Sequence, residues 1–270
     1  MKPLLYGAAF FFISFFFSFS SQGAIRMAVI DTGFCVEKMT INKKIKNQIT
    51  ILPVIDVTSK NKWNCKKVVE KQILESPRFH GQRVLQEFLK FAPKKEKVII
   101  KPIVIFDQKG NQTKEAWLKA IRTIEKEKID YILTASGMPV KEKINIDLPG
   151  IWFVPSGRIE RTIKKDTMLF PQLLGPQVNL FIIGDYSEGK VVFYDQDLLY
   201  KDVIDYYFPI GKGKFKGTSR AVAEAMGVAL SSCPYTKNEL SPPHALRLCL
   251  MKKSKVLNDP IAKIDFKTFH

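Results

Sequence analysis

The chain has 270 residues and a formal net charge of +17, from 43 Lys and Arg against 26 Asp and Glu. Hydrophobic residues make up 46% and charged residues 26%, a balance that excludes an intrinsically disordered or collagen-like chain. The length suits one large α/β domain or two small ones.

The first segment stands apart. Lys2 is the only charge in the first 24 residues, Leu4 to Phe19 is almost wholly apolar, and Ser20-Ser21-Gln22-Gly23-Ala24 follows. A short positive start, an apolar core and small residues at the end describe a secretory signal peptide, residues 1–23. The apolar run is shorter than the roughly 20 residues a membrane-spanning helix needs. An uncleaved anchor stays open as an alternative, and no later stretch is apolar enough to cross a bilayer. The mature chain, 24–270, is therefore expected to be secreted or periplasmic.

Beyond that segment, apolar runs and helix-period patterns alternate. Strands are expected at Met27-Ala28-Val29-Ile30, Ile49-Thr50-Ile51-Leu52, Val98 through Ile105, Tyr131-Ile132-Leu133, Ile151-Trp152-Phe153-Val154 and Leu180-Phe181-Ile182-Ile183. Helices are expected where Val84, Leu85, Phe88 and Leu89 repeat, and where Trp117, Leu118, Ile121 and Ile124 do. Two more are expected at Thr218 to Leu230 and Pro243 to Met251, and a hairpin at Lys190–Tyr194. Such alternation predicts an α/β fold, a mainly parallel sheet with both faces covered. No linker is evident, so one domain is expected. Ligand groups gather at the carboxyl ends of strands in such sheets, and Asp31 sits at one.

Four cysteines, Cys35, Cys65, Cys233 and Cys249, lie in the mature part. In an exported chain they point to two disulfides. Cys35–Cys65 and Cys233–Cys249 close the short loops and are the favoured pairing. No pair has the close spacing of a zinc site, and no metal ligand set is assigned. The lysines are spread along the chain without interleaved aromatics, so nucleic acid is not an expected partner. Asn111-Gln112-Thr113 reads as a helix start, Lys212-Gly213-Lys214 as the loop into the next helix, and Trp152 and Phe153 as core.

The residues that carry chemistry are Asp31, at a strand end before Thr32-Gly33, His80, at a helix start, and Ser219, in the first turn of an Ala-rich helix. A hydroxyl is a poor nucleophile until a base takes its proton, and the base needs an acidic group to fix its tautomer and stabilise its cation. A helix N-terminus adds a backbone N–H aimed at a developing oxyanion. His244, beside two prolines, and His270, the last residue, are weaker bases by position. The tripeptide Asp31-Thr32-Gly33 also marks aspartic proteases, but these need a second copy, and the α/β alternation does not suit that all-β class.

Together these residues resemble the subtilisin-like serine proteases, the subtilases, over nearly all of the mature chain. The order Asp, His, Ser is that family's. The matching motifs are Val29-Ile30-Asp31-Thr32-Gly33, His80-Gly81 with Val84, and Gly217-Thr218-Ser219 with Ala221 and Gly227. Thr134-Ala135-Ser136-Gly137 is similar to the strand lining the specificity pocket, and Phe153-Val154-Pro155-Ser156-Gly157 to the strand leading to the oxyanion asparagine. Phe181-Ile182-Ile183-Gly184 and Phe208-Pro209-Ile210-Gly211 resemble later family segments.

The resemblance implies a subtilisin-like three-layer fold and an exported serine endopeptidase. Asp31, His80 and Ser219 would be its triad, and Ala135, Ser136, Gly137, Ser156 and Gly157 would line the substrate pocket. A peptide or protein would be the substrate. No cofactor is implied beyond the family's calcium sites, which these residues do not locate.

Departures define the alternative, a degenerate homologue that binds a peptide or protein without cutting it. Arg158 stands where the oxyanion asparagine is expected, and loss of one such donor costs about 10²–10³ in rate. A guanidinium is itself a strong donor. Gln82 and Leu85 replace small residues, and Ala223 replaces a proline. Glu224 reads as a carboxylate facing the helix dipole. The first strand begins so soon after the apolar segment that no folding propeptide fits, so either the chain folds unaided or a separate folding or inhibitory partner serves it.

Overall fold

The computed structural model describes residues 23–58, 65–142, 144–157, 168–188, 190–191, 203–233, 242–259 and 264–268. All of the expected signal peptide but Gly23 therefore lies outside the described residues. The first apolar run forms the middle of β1 (Ile25–Asp31), and period-two alternation there serves both faces of a sheet. Met27 and Val29 join one core; Ala28 and Ile30 join the other.

The remaining elements follow as β2 (Ile49–Ile51), β3 (Ile55–Asp56), α1 (Glu70–Glu75), α2 (His80–Phe91), β4 (Val98–Val104), α3 (Lys114–Lys126) and β5 (Tyr131–Thr134). Then come β6 (Met138–Val140), β7 (Ile151–Pro155), β8 (Met168–Phe170), β9 (Leu180–Ser187), β10 (Lys190–Val191), β11 (Tyr206–Pro209), α4 (Thr218–Ser232), α5 (Pro242–Lys253), β12 (Lys255–Asp259) and β13 (Ile264–Thr268). The main sheet has the order β12-β13-β11-β9-β7-β5-β1-β4-β2, with β10 beside β9 and β3 beside β4. From β2 to β13 neighbours run parallel. Only β10 and β12 run antiparallel in it.

Three layers result. On one face α2 and α4 pack on the sheet and on each other, with Val84, Leu85, Phe88, Val222 and Met226 against Met27, Phe153 and Phe181. On the other, Trp117, Ala120, Ile121 and Ile124 of α3 cover Ala28, Ile30, Ile103 and Ile132. Both Trp152 and Phe153 are fully buried. Arg247 fastens α5 to the sheet, pairing with Asp205 and lying 4.2 Å over the Phe181 ring.

This topology positions the site. The chain leaves β1 for β4 on one side, then crosses with α3 to β5 on the other side of β1. The strand order thus reverses at β1, the place where parallel sheets open a crevice at their carboxyl ends. Asp31 ends β1 there.

Candidate active site

Asp31 is completely buried, with 0% of its surface exposed. Its Oδ1 accepts the Thr32 N–H at 2.7 Å. The imidazole of His80, the first residue of α2, meets the carboxylate through Nδ1 at 2.9 Å from Oδ1 and 3.1 Å from Oδ2. With Nδ1–H donated to Asp31, the neutral ring carries its lone pair on Nε2. A buried anion also stabilises the imidazolium that forms when Nε2 takes a proton. One quarter of the His80 side chain is exposed, so the pair joins a buried acid to an accessible base.

The surrounding chain is tied to this pair at many points. Thr32 Oγ1 accepts the Gly81 N–H at 3.0 Å, and the Gly33 N–H reaches Arg78 O at 2.8 Å. Gly81 lets α2 approach: a Cβ there would lie 2.8 Å from Asp31 Cβ and 2.6 Å from the Phe34 ring. Gln82 is fully buried, its Oε1 accepting Cys35 N–H at 2.8 Å and its Nε2 donating to Cys35 O at 3.2 Å. Cys35 is also disulfide-bonded to Cys65. The two departures in α2 thus have structural occupations: Gln82 clamps the Cys35 backbone, and Leu85 fills the core.

Arg83 donates to the carbonyls of Ile73 and Ser76, both at 2.9 Å. Burial pushes its guanidinium below its ordinary value, while the Asp31 charge acts the other way. The second expected disulfide, Cys233–Cys249, joins the end of α4 to α5.

Ser219 lies in the first turn of α4, half-buried. Gly217 precedes that helix with φ +92° and ψ −169°, a conformation that L side chains rarely adopt. Its N–H is fixed to Ile210 O at 2.9 Å. The first N–H groups of a helix have no intrahelical partner, so the Ser219 amide is free of the helix ladder. Four residues before Ser219, the Phe215 ring stands edge-on to His80 with centroids 5.8 Å apart. Gly227 lets α4 touch α2: a Cβ there would lie 2.5 Å from Phe91 Cβ. The structure thus bonds Asp31 to His80 and brings the helix of Ser219 against the helix of His80.

Glu224 corrects the sequence reading. It does not serve the helix dipole; it pairs with Arg220 at 2.6 Å, one turn back. Burial raises its pKa above the ordinary value, the Arg220 charge works against that, and the Glu87 carboxylate adds to it.

The expected pocket segments follow strand ends. Ala135, Ser136 and Gly137 leave β5, and the Ser136 N–H lies 3.3 Å from Thr134 Oγ1. Gly137 O is held by Gln112 Nε2 at 2.7 Å. Ser156 and Gly157 leave β7, with Ser156 N–H on Ile183 O at 2.7 Å and Gly157 at φ +85°. Arg158 lies outside the described residues.

Two glutamines escaped the sequence reading. Gln112, just before the Thr113 cap of α3, also accepts Trp117 Nε1–H at 2.9 Å. Gln172 is buried against the Gly137 Cα and donates to Pro155 O at 2.8 Å, bridging the two segments. Gln112 stands just before a helix and Gln172 opens a single 3₁₀ turn (Gln172–Leu174), so neither carries a periodic signal and neither could be found from pattern alone.

Beside His80 lies an open cleft of about 410 Å³. Leu74 and Phe215 form apolar walls, and Arg83 and Lys216 line it too. The ion pair of Glu75 with Lys214, at 2.9 Å, joins α1 to the loop before α4. Among the described residues, no group of three His, Cys, Asp or Glu could hold a metal ion. No described helix is long and apolar enough to cross a membrane.

No protein-family model matches the chain, and no curated protein matches it. Solved structures do. A lanthipeptide protease shares 14% identity over 87% of this chain and 81% of that one, with a TM-score of 0.59. A cold adapted subtilisin-like serine proteinase shares 12% over 91% and 88%, at 0.56. The PatG macrocyclase in complex with peptide shares 10% over 88% and 84%, also at 0.56. At such identities the likeness is one of fold: this chain has a divergent subtilisin-like fold.

Proposed function

We propose that the chain is an exported serine endopeptidase of the subtilisin-like kind. The observation that carries this reading is the Asp31–His80 pair at the carboxyl end of β1, beside the helix that begins just before Ser219. In the proposed reaction Ser219 Oγ attacks a peptide carbonyl while His80 Nε2 takes its proton. Asp31 holds the ring and stabilises its cation. The Ser219 N–H, at a helix N-terminus, meets the developing oxyanion, with Arg158 as a second donor. His80 then returns the proton to the leaving amine, and water releases the acyl group by the same steps in reverse.

The backbone of Ala135–Gly137 and Ser156–Gly157 is proposed to receive the substrate. The peptide held by the PatG macrocyclase supports a peptide as the ligand class. Export is supported by the amino-terminal segment and by the two disulfides, which persist in oxidising compartments.

One observation favours a second reading, a peptide-binding homologue without turnover: Arg158 replaces the expected asparagine. The experiment that decides is labelling of the purified mature protein with a fluorophosphonate probe, followed by peptide mapping. Labelling at Ser219, lost in Ser219→Ala and His80→Ala, is the expected result. A folded wild-type protein that stays unlabelled overturns the protease reading in favour of the binding one.

A further inference from the structure

Glu87, Arg220 and Glu224 form a charge cluster where α2 and α4 pack together. Their side chains are only 5%, 16% and 13% exposed. Arg220 Nε stands 3.1 Å from Glu87 Oε1, and Nη1 stands 2.6 Å from Glu224 Oε2. The same Nη1 donates to Pro209 O at 2.8 Å, at the end of β11. The arginine stem lies across Gly211, where φ is +85° and a Cβ would come within 2.1 Å of Arg220 Cδ. Lys90 holds the other oxygen of Glu87 at 2.5 Å. One guanidinium thus grips its own helix, the helix of His80, a strand end and the turn after it.

Stability alone does not account for such a cluster. An apolar trio of equal volume is often as stable as a buried ionic one. What the guanidinium supplies is a fixed point: it donates a hydrogen bond to Pro209 O and holds the two carboxylates as ion pairs, so that four segments meet at one planar group. The first turn of α4 has need of that. Its N-cap is Gly217, with no side-chain cap hydrogen bond, and glycines 211 and 213 at positive φ precede it.

We propose that Arg220 is a positioning residue that anchors the uncapped first turn of α4, and with it the adjacent Ser219 hydroxyl, against the helix that begins at His80. This rests on the reading of Ser219 as the nucleophile.

Arg220→Met alone strands the buried Glu224 carboxylate, takes one of two cations from Glu87, and is expected to destabilise for that reason. The informative protein is the triple variant Arg220→Met, Glu87→Gln, Glu224→Gln, which removes the whole cluster. A second variant, Gly211→Ala, displaces the arginine stem and removes no charge.

Two readouts are taken on folded samples of the mature protein: fluorophosphonate labelling of Ser219 across pH, and amide hydrogen exchange. Labelling is expected to slow about 10²-fold in the triple variant, the scale of an ångström of misplacement, with the midpoint of its pH profile unmoved. Exchange is expected to accelerate in residues 220–222, the first amides bonded in the helix, and to stay unchanged in 226–230. Arg220→Lys, which keeps the charge and loses the fork, is expected to fall between. Wild-type labelling rates in both variants, or unaltered exchange in the first turn, would overturn the proposal. If wild-type protein itself does not label, the nucleophile reading falls, and the exchange comparison still decides whether Arg220 holds the turn.

Discussion

The two halves of the proposed site are built differently. The acid–base half is a laced structure: one strand end, one helix start and one loop are joined by hydrogen bonds of Thr32, Gly33 and Gln82 and by the Cys35–Cys65 disulfide. The nucleophile half has neither a side-chain cap nor a nearby covalent tie. Its helix is entered through glycines and held by packing on α2 and by one arginine. A base must keep one tautomer and one direction through a whole cycle, and lacing suits that. The difference also locates where each half is vulnerable.

The comparison breaks hardest at Asp31. In Asp31→Asn the amide keeps the shape of the carboxylate but not its charge, and the ring loses the partner that fixes its tautomer. The rate of probe labelling at Ser219 is expected to fall by about 10⁴. A loss under tenfold would mean that the buried carboxylate serves the fold rather than the base.

The disulfides sharpen it next. In the loop-entropy account, closing separations of 30 and 16 residues stabilises the chain by about 4 and about 3 kcal/mol. Removing either by paired Cys→Ala changes should therefore cost similar stability in a denaturant titration. Activity should separate them. Loss of Cys35–Cys65 loosens the loop that follows Asp31 and is expected to slow labelling of the folded fraction, while loss of Cys233–Cys249 leaves it unchanged. Equal effects on labelling would erase the distinction between the halves.

The smallest effect concerns pH. The folded chain binds the Glu224 proton more tightly than the unfolded chain does, because burial raises its pKa above the ordinary 4.5. Stability from that proton is complete below the ordinary value and is lost as pH rises through the raised one. Glu224→Gln cannot ionise, so its melting temperature is expected to gain on wild type as pH is raised from about 4.5 towards neutrality. The opposite slope would show that the Arg220 charge outweighs burial.

Most of the parallel sheet was legible because its strands are buried on both faces and read as continuous apolar runs. The covering helices were legible through period 3.6. The short pieces were not. Met138–Val140 and Met168–Phe170 form a separate two-stranded sheet too brief for any periodicity. Lys255–Asp259 pairs at the edge with only Val256 and Leu257 as apolar signals, and Val256 is exposed.

For the proposed site, Asp31 and His80 were singled out by their combination with Ser219 and by the motifs around them, since an Asp at a strand end or a His at a helix start is by itself an ordinary turn or cap residue; the structure bonds the two. Both disulfide pairings followed from loop length. Gln82 looked like an oddity in sequence, since a buried amide makes sense only once its backbone partners are known. Glu224 was misread for the same reason: its partner Arg220 is one turn away, but the burial that drives the pairing comes from α2, far off in sequence.

Gly227 has a mechanical consequence. Two rigid rods touch where it stands, and the atoms that a side chain would strike include Phe91 C and Phe88 O, which belong to backbone and cannot swing aside. Each rod carries one residue of the proposed triad in its opening turn, so the crossing acts as a fulcrum, and any spacer placed there is delivered to both lever ends as displacement. The separation of Ser219 from His80, across which the proposed proton transfer would run, therefore depends on a position two turns further along the helix where the backbone of α2 leaves little room for more than a hydrogen atom.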